Sequence, residues 1–470
     1  MDSEIQPVPE LLQLPDPCLL AVLRCCADDP RSLFSAARAH SRLHQAAVLA
    51  ASNISVVLTQ QQQADSVLLY LTNHGQHVSS INLSLIPPAD DDTYGRGPTI
   101  SLRQLPPDLR RLETLHVRGL LLQLQPGDGF QGVLHTGMPL KHLQLDGCQL
   151  LDDEERLTAA VLLLSGLQHL GISKTDHWPI AIMGEPPSSV LQGLTQLTYL
   201  ELAAYEVRDR DSLQPLHGLT CLQDLRLDIW GPVDVSASTF SGMQQLTHLR
   251  LRGSQDGCNC CFEPAVLAGK TKLQHLTLLH CEVQGGTTGV TELLSHLYQL
   301  QQLTHLELGW SLVNVAPAAA YAALTASSKL QHLNVTNCKL PEGVWQHVFP
   351  VGKQLPHLRV LNALFLEPTV GVSGSVGPIT APESSRLVGC CPGLCALWIS
   401  AMQCCAGQLG PLTGLSGLQE LCVAPANQSF EGFEAVGELT GLTRLHLTDP
   451  RGVDSRLLWQ LTKLWHSCGS

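Results

Sequence analysis

The chain has 470 residues, of which 88 are leucine and only 21 are aromatic. Charged residues make up 15% of it, and the formal net charge is −13. This balance argues against a general nucleic-acid binder, which carries a basic face, and against docking on an anionic membrane.

The composition also bounds the compartment. No apolar run approaches the roughly 18 residues that a membrane-spanning helix needs. The acidic start Met1-Asp2-Ser3-Glu4 lacks the basic-then-apolar order of a secretory signal. We therefore expect a cytoplasmic or nuclear protein, in which the 17 cysteines are mostly reduced thiols.

Residues 11–50 predict two or three short helices. Leu19, Leu20, Val22 and Leu23 have helical spacing, and Asp16 stands where an N-cap is expected. The segments that follow one another here are Leu14-Pro15-Asp16, Leu19-Leu20-Ala21-Val22-Leu23, Asp28-Asp29, Leu33, Ala37-Arg38 and Arg42-Leu43. In this order they resemble the F-box, a trihelical motif. The same apolar residues also suit a helical cap over the first layer of a repeat domain.

From residue 78 onwards, leucines recur in the pattern L-x-x-L-x-L-x-x-C. Copies that begin at Leu140, Leu273 and Leu330 have cysteine at the ninth position. Looser copies bring the number to fourteen, from Val78 to Leu442, with a mean spacing of 28 residues. This period is that of a leucine-rich repeat, which spans about 20–29 residues. The ninth-position cysteines look like those of plant or algal members.

Each repeat predicts a short strand with both inner leucines on one side, because side chains alternate along a strand. No repeat buries its apolar side alone, so neighbours must stack. Helices or short 3₁₀ turns are expected on the convex side, for example at 291–300 and 316–326. The fold class is therefore an α/β solenoid, a leucine-rich-repeat horseshoe with a parallel concave sheet, preceded by a small helical F-box-like head.

The predicted organisation has three parts. Residues 11–50 form the head, 51–77 a helical connector or N-terminal cap, and 78–470 the solenoid. Turn-forming residues at 87–98 and 368–378 predict surface loops. Apolar residues at helical spacing predict a C-terminal cap helix over 455–466.

A partner surface is predicted where repeat positions 3, 5, 7 and 8 face outward on the concave sheet. Trp and Arg are singled out because they often dominate interfaces. The predicted surface comprises Tyr199, Glu201, Arg226, Arg250, Arg252, His248, His275, His305, Glu307, Trp310, His332 and Trp398. Its four histidines form a ladder at position 3, which suits a metal or pH role but is more simply a stripe copied with the repeat. Trp398 is expected to be exposed, unless the loop after residue 368 covers it.

Catalytic signals are missing from the sequence. It has no phosphate-binding glycine loop and no nucleophile motif, and the Cys258-Asn259-Cys260-Cys261 group lacks the second ligand pair that a zinc site needs. We expect a protein that is not an enzyme, with no catalytic residues, no cofactor and no metal site.

The F-box resemblance implies a function. An F-box binds a Skp-type adaptor, which bridges to a cullin ubiquitin ligase of the SCF type, and the repeats then present an unknown protein substrate. The residues that the resemblance assigns to the adaptor are Leu14, Pro15, Leu19, Leu20, Leu23 and Leu33. The alternative is a non-catalytic scaffold in a cytoskeletal or ciliary assembly, which would place the chain at the axoneme or cytoskeleton.

Overall fold

A computed structural model gives the fold and describes residues 14–25, 35, 38–50, 52–85, 99–101, 105, 109–123, 139–150, 164–173, 191, 193–206, 213–254, 260–364, 381–401, 409–425 and 433–447. The chain divides into unit 1, Met1–Ala204, and unit 2, Tyr205–Ser470. Leu33, the predicted loops at 87–98 and 368–378, and the predicted cap helix at 455–466 lie outside the described residues.

Unit 1 begins with two packed helices, α1 (Asp16–Cys25) and α2 (Ser41–Ala50). Leu19 and Leu23 of α1 are only 1% and 4% exposed, and they share a core with Leu43 of α2. Residues four apart lie on the same side of a helix, so both leucines of α1 face α2. The predicted helical head is therefore held together by the apolar residues that the sequence picked out.

A polar link fixes the entry to α1. The Arg42 guanidinium donates to the Leu14 carbonyl at 3.0 Å and pairs with the Asp16 carboxylate. Asp16 stands at the first residue of α1, where a negative charge complements the helix dipole. The second helix thus holds the start of the first in place.

Parallel strands make up the rest of unit 1, together with helix α3 (Gln61–His74) and a 3₁₀ turn at Gly75–His77. The strands are β1 (Asn53–Leu58), β2 (Ser80–Leu85), β3 (Thr99–Ser101), β4 (Thr114–Arg118), β5 (Leu121–Gln123), β6 (His142–Asp146), β7 (Gln149–Leu150), β8 (His169–Ser173) and β9 (Tyr199–Glu206). The main sheet has the order β1-β2-β4-β6-β8-β9, and β3-β5-β7 form a smaller sheet.

The sheet of unit 1 starts earlier than the first predicted repeat. Strand β1 pairs in parallel with β2, with Asn53 opposite Ser80 and Leu58 opposite Leu85. The segment 51–77, predicted as a helical connector, therefore contains a strand as well as α3. Its apolar residues alternate at Ile54, Val56 and Leu58, which is a strand pattern without the leucine spacing of the repeat.

Unit 2 has the same construction. Its strands are β10 (Asp224–Trp230), β11 (Val233–Val235), β12 (His248–Arg252), β13 (Cys260–Phe262), β14 (His275–Leu279), β15 (Cys281–Val283), β16 (His305–Glu307), β17 (His332–Asn334), β18 (Val360–Ala363), β19 (Ala396–Ala401), β20 (Glu420–Pro425) and β21 (Arg444–Leu447). Strands β11-β13-β15 form a small sheet, and the others form the main sheet in chain order.

Short helices connect the strands of unit 2. They are α4 (Ala237–Phe240), α5 (Gly286–Gln299), α6 (Trp345–Val348) and α7 (Ala381–Cys390), with 3₁₀ turns at Gln214–Gly218, Pro264–Leu267, Ala318–Thr325, Gly410–Gly414 and Phe433–Glu438. The segments predicted as helix or 3₁₀ turn at 291–300 and 316–326 thus coincide with α5 and with one 3₁₀ turn.

The leucines form the core that the repeat pattern predicts. On β14, Leu276 and Leu278 are fully buried, while His275 and Thr277, which alternate with them, are half-buried. Full burial of one leucine stabilises the fold by roughly 1.5–3 kcal/mol. The predicted leucine-rich-repeat solenoid is confirmed, because each unit stacks its repeats strand on strand in a parallel sheet.

The ninth position of the repeat closes each layer with a hydrogen bond. The Cys148 thiol donates to the Val117 carbonyl at 3.3 Å, and the Cys338 thiol donates to the Leu308 carbonyl at 2.8 Å. Both acceptors stand at position 6 of the preceding repeat. Burial raises the pKa of both thiols to about 12, so each keeps the proton that it donates.

Candidate functional site

Side chains at positions 3, 5 and 7 lie on the outward face of each main sheet, opposite the buried leucines. All twelve residues of the predicted partner surface are described, and none is fully buried. Tyr199 and Glu201 lie in unit 1, and the other ten lie in unit 2.

In unit 1 the outward face carries three aromatic rings at position 3, the unit-1 stack. The centroids of His142 and His169 are 5.6 Å apart, and those of His169 and Tyr199 are 3.9 Å apart with the rings parallel within 4°. The Tyr199 hydroxyl donates to the Glu201 carboxylate at 2.6 Å. Tyr199 and Glu201, both predicted as partner residues, are therefore tied to each other.

A polar network centred on Asp146 supports this stack. Its carboxylate lies 2.8 Å from His116 Nε2 and accepts hydrogen bonds from Ser173 Oγ at 2.7 Å and Gln144 Nε2 at 2.5 Å. The Gln144 amide oxygen in turn lies 3.0 Å from His169 Nε2. The network thus joins three neighbouring strands at their outward face.

The charge state of Asp146 follows from these partners. Burial raises its pKa, but the hydrogen bonds from Gln144, Ser173 and His116 outweigh burial, so the pKa of Asp146 lies below its ordinary value. Gly171 leaves the space for Gln144, since a Cβ at Gly171 would lie 1.8 Å from the amide oxygen. Both Ser173 and His116 bond the carboxylate, whereas in a nucleophile–base pair the histidine bonds the serine hydroxyl.

In unit 2 the four histidines of the predicted ladder form the unit-2 stack. Their ring centroids are 4.2 Å apart between His248 and His275, 4.2 Å between His275 and His305, and 5.8 Å between His305 and His332. Neighbouring rings are parallel within 18°. Parallel rings direct their nitrogens along one side rather than to a common point, which is not the geometry of a tetrahedral metal site.

The residue at position 2 of the repeat, directly before each histidine, decides which rings of the unit-2 stack have a threonine partner. Thr247 Oγ1 lies 2.9 Å from His248 Nδ1, and Thr304 Oγ1 lies 2.9 Å from His305 Nδ1. His275 follows a glutamine instead, and its buried Nδ1 has no hydrogen-bond partner among the described residues. Imidazoles that follow a threonine and imidazoles that follow a glutamine therefore alternate from one repeat to the next.

The inner imidazoles stay neutral near pH 7. Burial lowers the pKa of His275 to about 4, and the charges of His248 and His305 add to this effect. Burial, followed by the charge of His332, also lowers the pKa of His305. The His332 imidazole, which lies 3.3 Å from Glu307, lowers the pKa of that carboxylate although burial opposes it.

Two of the three arginines of the predicted partner surface are paired with carboxylates. Arg226 makes two contacts with Asp224, at 3.1 and 2.9 Å, and Arg250 lies 3.5 Å from Asp228. Arg252 is half-buried at the end of β12, and its charge contributes to a lowered pKa of His280 after burial. The unit-2 face therefore combines paired charges with neutral rings.

The edge of the unit-2 face carries a second aromatic pair, at position 8. Trp310 is 41% exposed and stacks on His280 with a centroid distance of 5.4 Å. Both residues have left-handed backbone, with φ of 61° and 54°. Sequence reasoning identified Trp310 but missed His280, whose position 8 in the repeat that begins at Leu273 was the available signal.

Trp398 differs from Trp310. It lies half-buried on β19, opposite Asn362 of β18 and Cys422 of β20. The loop predicted to cover it falls outside the described residues. The structure thus places Trp398 on the sheet rather than at its edge.

The residues that the F-box resemblance assigns to an adaptor differ in their exposure in the head. Leu19 and Leu23 are buried against α2, so they hold the two helices together and do not face solvent. Pro15 is exposed, and Leu14 and Leu20 are half-buried. Among the described residues of α1, the large apolar side chain that faces solvent is Val22, at 41% exposure, which sequence reasoning did not include.

The described residues contain neither a metal-binding cluster nor a membrane-spanning helix. No cluster of three or more His, Cys, Asp or Glu side chains with metal-binding geometry occurs among them. Within the same residues, no helix combines the length and apolar character needed to cross a lipid bilayer.

Comparison with known proteins gives structural likeness without sequence likeness. No protein-family model matches the chain, and no curated protein matches it. Similar solved structures include an internalin (inlF) from Listeria monocytogenes, with 17% identity, a TM-score of 0.42 and 96% of both chains covered. The plant peptide hormone receptor RGFR1 in complex with RGF2 has 14% identity and a TM-score of 0.42 over 79% of this chain and 63% of that chain. The LRR ectodomain of the Arabidopsis receptor kinase HAESA in complex with an IDA peptide hormone has 15% identity and a TM-score of 0.44 over 84% of this chain and 65% of that chain.

Proposed function

We propose that this chain is a non-catalytic protein-interaction module and that the outward face of unit 2 binds a protein partner. The observation that carries the proposal is the exposed Trp310, stacked on His280 at the edge of that face. Tryptophan is among the residues that contribute most to protein interfaces when it is covered. An exposed tryptophan at the edge of the sheet does not pack in the leucine core, so core packing does not explain it.

The backbone at Trp310 strengthens the argument. Position 8 is a left-handed turn, and in unit 1 glycine occupies it at Gly119 and Gly147, with φ of 71° and 58°. A residue with a Cβ gives up roughly 1–2 kcal/mol in that conformation. Unit 2 therefore keeps bulky rings at Trp310 and His280 at a cost in stability, which is typical of functional positions.

Affinity purification with matched variants tests this proposal. Trp310→Asn removes the ring and places there the residue that the next repeat carries in the same conformation, Asn337 with a φ of 53°. Tyr298→Ala removes an aromatic ring that is 63% exposed on α5, away from the outward face. We expect specific partners to be lost with Trp310→Asn and kept with Tyr298→Ala. The same partners retained by both variants would refute the proposal.

We also propose, as a finer candidate, that the head recruits a Skp-type adaptor and makes the chain a substrate receptor of an SCF-type ubiquitin ligase. The F-box-like order of residues 11–50 and the exposed Val22 on the packed pair α1 and α2 support this candidate. The domain division into a head at 11–50 and a solenoid remains part of the same proposal.

Adaptor binding is tested with a surface variant rather than a core variant. Leu19→Asp or Leu23→Asp would place a charge in the core of the head and unfold it. Val22→Asp changes an exposed side chain, so it should abolish adaptor pull-down while the helical circular dichroism signal is unchanged. No adaptor bound by the intact chain, together with co-sedimentation with microtubules or axonemes, would favour the scaffold alternative.

A further inference from the structure

We propose that Cys260 and Cys281 are a dithiol–disulfide pair, whose oxidation by a low-molecular-weight disulfide joins two neighbouring repeats covalently. Strand β13 pairs in parallel with β15, and Cys260 stands directly opposite Cys281 in that register. Neighbouring strands lie about 4.8 Å apart, which is within the Cα separation of about 4.4–6.8 Å that disulfides span. The strands β13 and β15 belong to the small sheet, so the pair lies apart from the outward face.

The surroundings bring the two thiols together. Both cysteines are fully buried, and the Cys260 thiol is the first cause that raises the pKa of Cys281, ahead of burial. In-register residues of parallel strands point to the same side of the sheet. The strand register therefore places the two buried thiols side by side, so a bond between them needs no movement of either strand past the other.

Another buried thiol shows what is particular to Cys281. Cys338 stands at the same ninth position and donates to its carbonyl acceptor, Leu308, at 2.8 Å. The Cys281 thiol lies 3.5 Å from the corresponding carbonyl, Leu251, and 3.3 Å from the Leu279 carbonyl, and both distances exceed that of Cys338. Oxidation of Cys281 therefore gives up a longer hydrogen bond than oxidation of Cys338 would.

The reaction is two thiol–disulfide exchanges. One protein thiol, as thiolate, attacks a sulfur of glutathione disulfide, forming a mixed disulfide and releasing one glutathione thiolate. The second protein thiolate attacks the protein sulfur of that mixed disulfide, forming the Cys260–Cys281 bond and releasing the second glutathione. The two protein thiols are oxidised, the glutathione disulfide is reduced, and two protons pass to the released thiolates.

The experiment is an equilibrium one, because both thiols are buried and react slowly in the folded chain. The full chain is refolded in glutathione buffers of stepped reduced-to-oxidised ratio, trapped by alkylation and mapped by mass spectrometry. The same series is run in concentrated urea. A disulfide that stabilises the fold must, by thermodynamic linkage, form more readily in the native chain than in the unfolded one. Typical disulfide stabilisation energies correspond to an equilibrium constant for bond formation that is at least about tenfold larger in the native chain.

We expect a cross-linked peptide that contains Cys260 and Cys281, at least about tenfold more favoured in the native series. Cys338 should remain alkylated as a thiol in the same samples. Cys260→Ala and Cys281→Ala should each abolish the cross-link and the rise in Tm that accompanies it. A native preference no greater than that in urea, or a different thiol as the main partner of either cysteine, would overturn the proposal.

Discussion

The unit-1 stack and the unit-2 stack place histidine at the same repeat position but hold it in different ways. His169 is bonded through Gln144 to the Asp146 network, whereas His275 lies between two imidazoles with its Nδ1 unpartnered among the described residues. In unit 1 the preceding repeat supplies acceptors. For His275 in unit 2 it supplies Arg250 and Arg252, which offer none. The repeat position fixes where a ring lies, and the preceding repeat decides which hydrogen-bond partners that ring meets.

The largest expected effect comes from removing the centre of the unit-1 network. Asp146→Ala leaves the donors on Ser173, Gln144 and His116 without their acceptor, so we expect a loss of about 1–3 kcal/mol in the free energy of unfolding. The control in unit 2 is Glu307→Ala, which breaks one half-exposed contact and should cost less than about 1 kcal/mol. Urea unfolding measures the free energy of unfolding of both variants. Equal losses would contradict the proposed difference between the unit-1 stack and the unit-2 stack.

An intermediate effect is expected at position 8, where the units differ in glycine content. Gly147→Ala in unit 1 forces a Cβ into a left-handed turn with a φ of 58° and should cost roughly 1–2 kcal/mol. Trp310→Asn in unit 2 should change the free energy of unfolding by less than about 1 kcal/mol, because Asn tolerates this conformation better than Trp. Thermal unfolding of both variants checks this pair. A large loss in Trp310→Asn alone would mean that the ring serves the fold rather than a partner.

The smallest expected effect is a response of unit 2 to mild acid. The pKa of His275 is about 4 when folded, below its ordinary value of 6.5, so the unfolded chain takes up the proton first as pH falls. The contribution of neutral His275 to the free energy of unfolding is fully present above pH 6.5 and is lost progressively as the pH falls to about 4. The ring is partly exposed, so the loss should stay below about 1 kcal/mol.

Unit 1 provides the contrast for this titration. The lowered pKa of Asp146 means that its contribution persists until the pH falls below the ordinary aspartate value of 3.8. Hydrogen exchange at pH 7 and pH 5, corrected for intrinsic rates, should show a loss of protection in strands β12 and β14, and the loss should be smaller in His275→Gln. A loss of protection confined to β6 and β8 would contradict the assignment of this pH response to His275.

The sequence predicted the parts of this molecule that depend on one period. The spacing of Leu273, Leu276 and Leu278 is enough to predict the strand, its buried side and the outward position of His275. The Asp146 network was not predicted, because it depends on which rotamers meet across strands whose residues are about one repeat apart in sequence. Strand β1 was missed because its alternating residues lack the leucine spacing.

The head shows a different limit. The same apolar residues are required by a helix that packs within its own domain and by a helix that receives a partner. Leu19 and Leu23 were assigned to a partner, and they pack internally. Only the relative rotation of α1 and α2 distinguishes these alternatives, and a periodic pattern does not contain that angle.

Threonine and glutamine alternate at position 2 of the unit-2 stack. The chemical pattern along the sheet therefore repeats at a longer distance than the strands do. Strands recur every 4.8 Å or so, but imidazoles that share a threonine partner, such as His248 and His305, recur only every second strand, roughly 9.6 Å apart. A molecule bound along this sheet therefore contacts two kinds of histidine in turn, those that follow a threonine and those that follow a glutamine. Sliding by one strand changes every contact that it makes with the rings, whereas sliding by two restores the threonine-held imidazole.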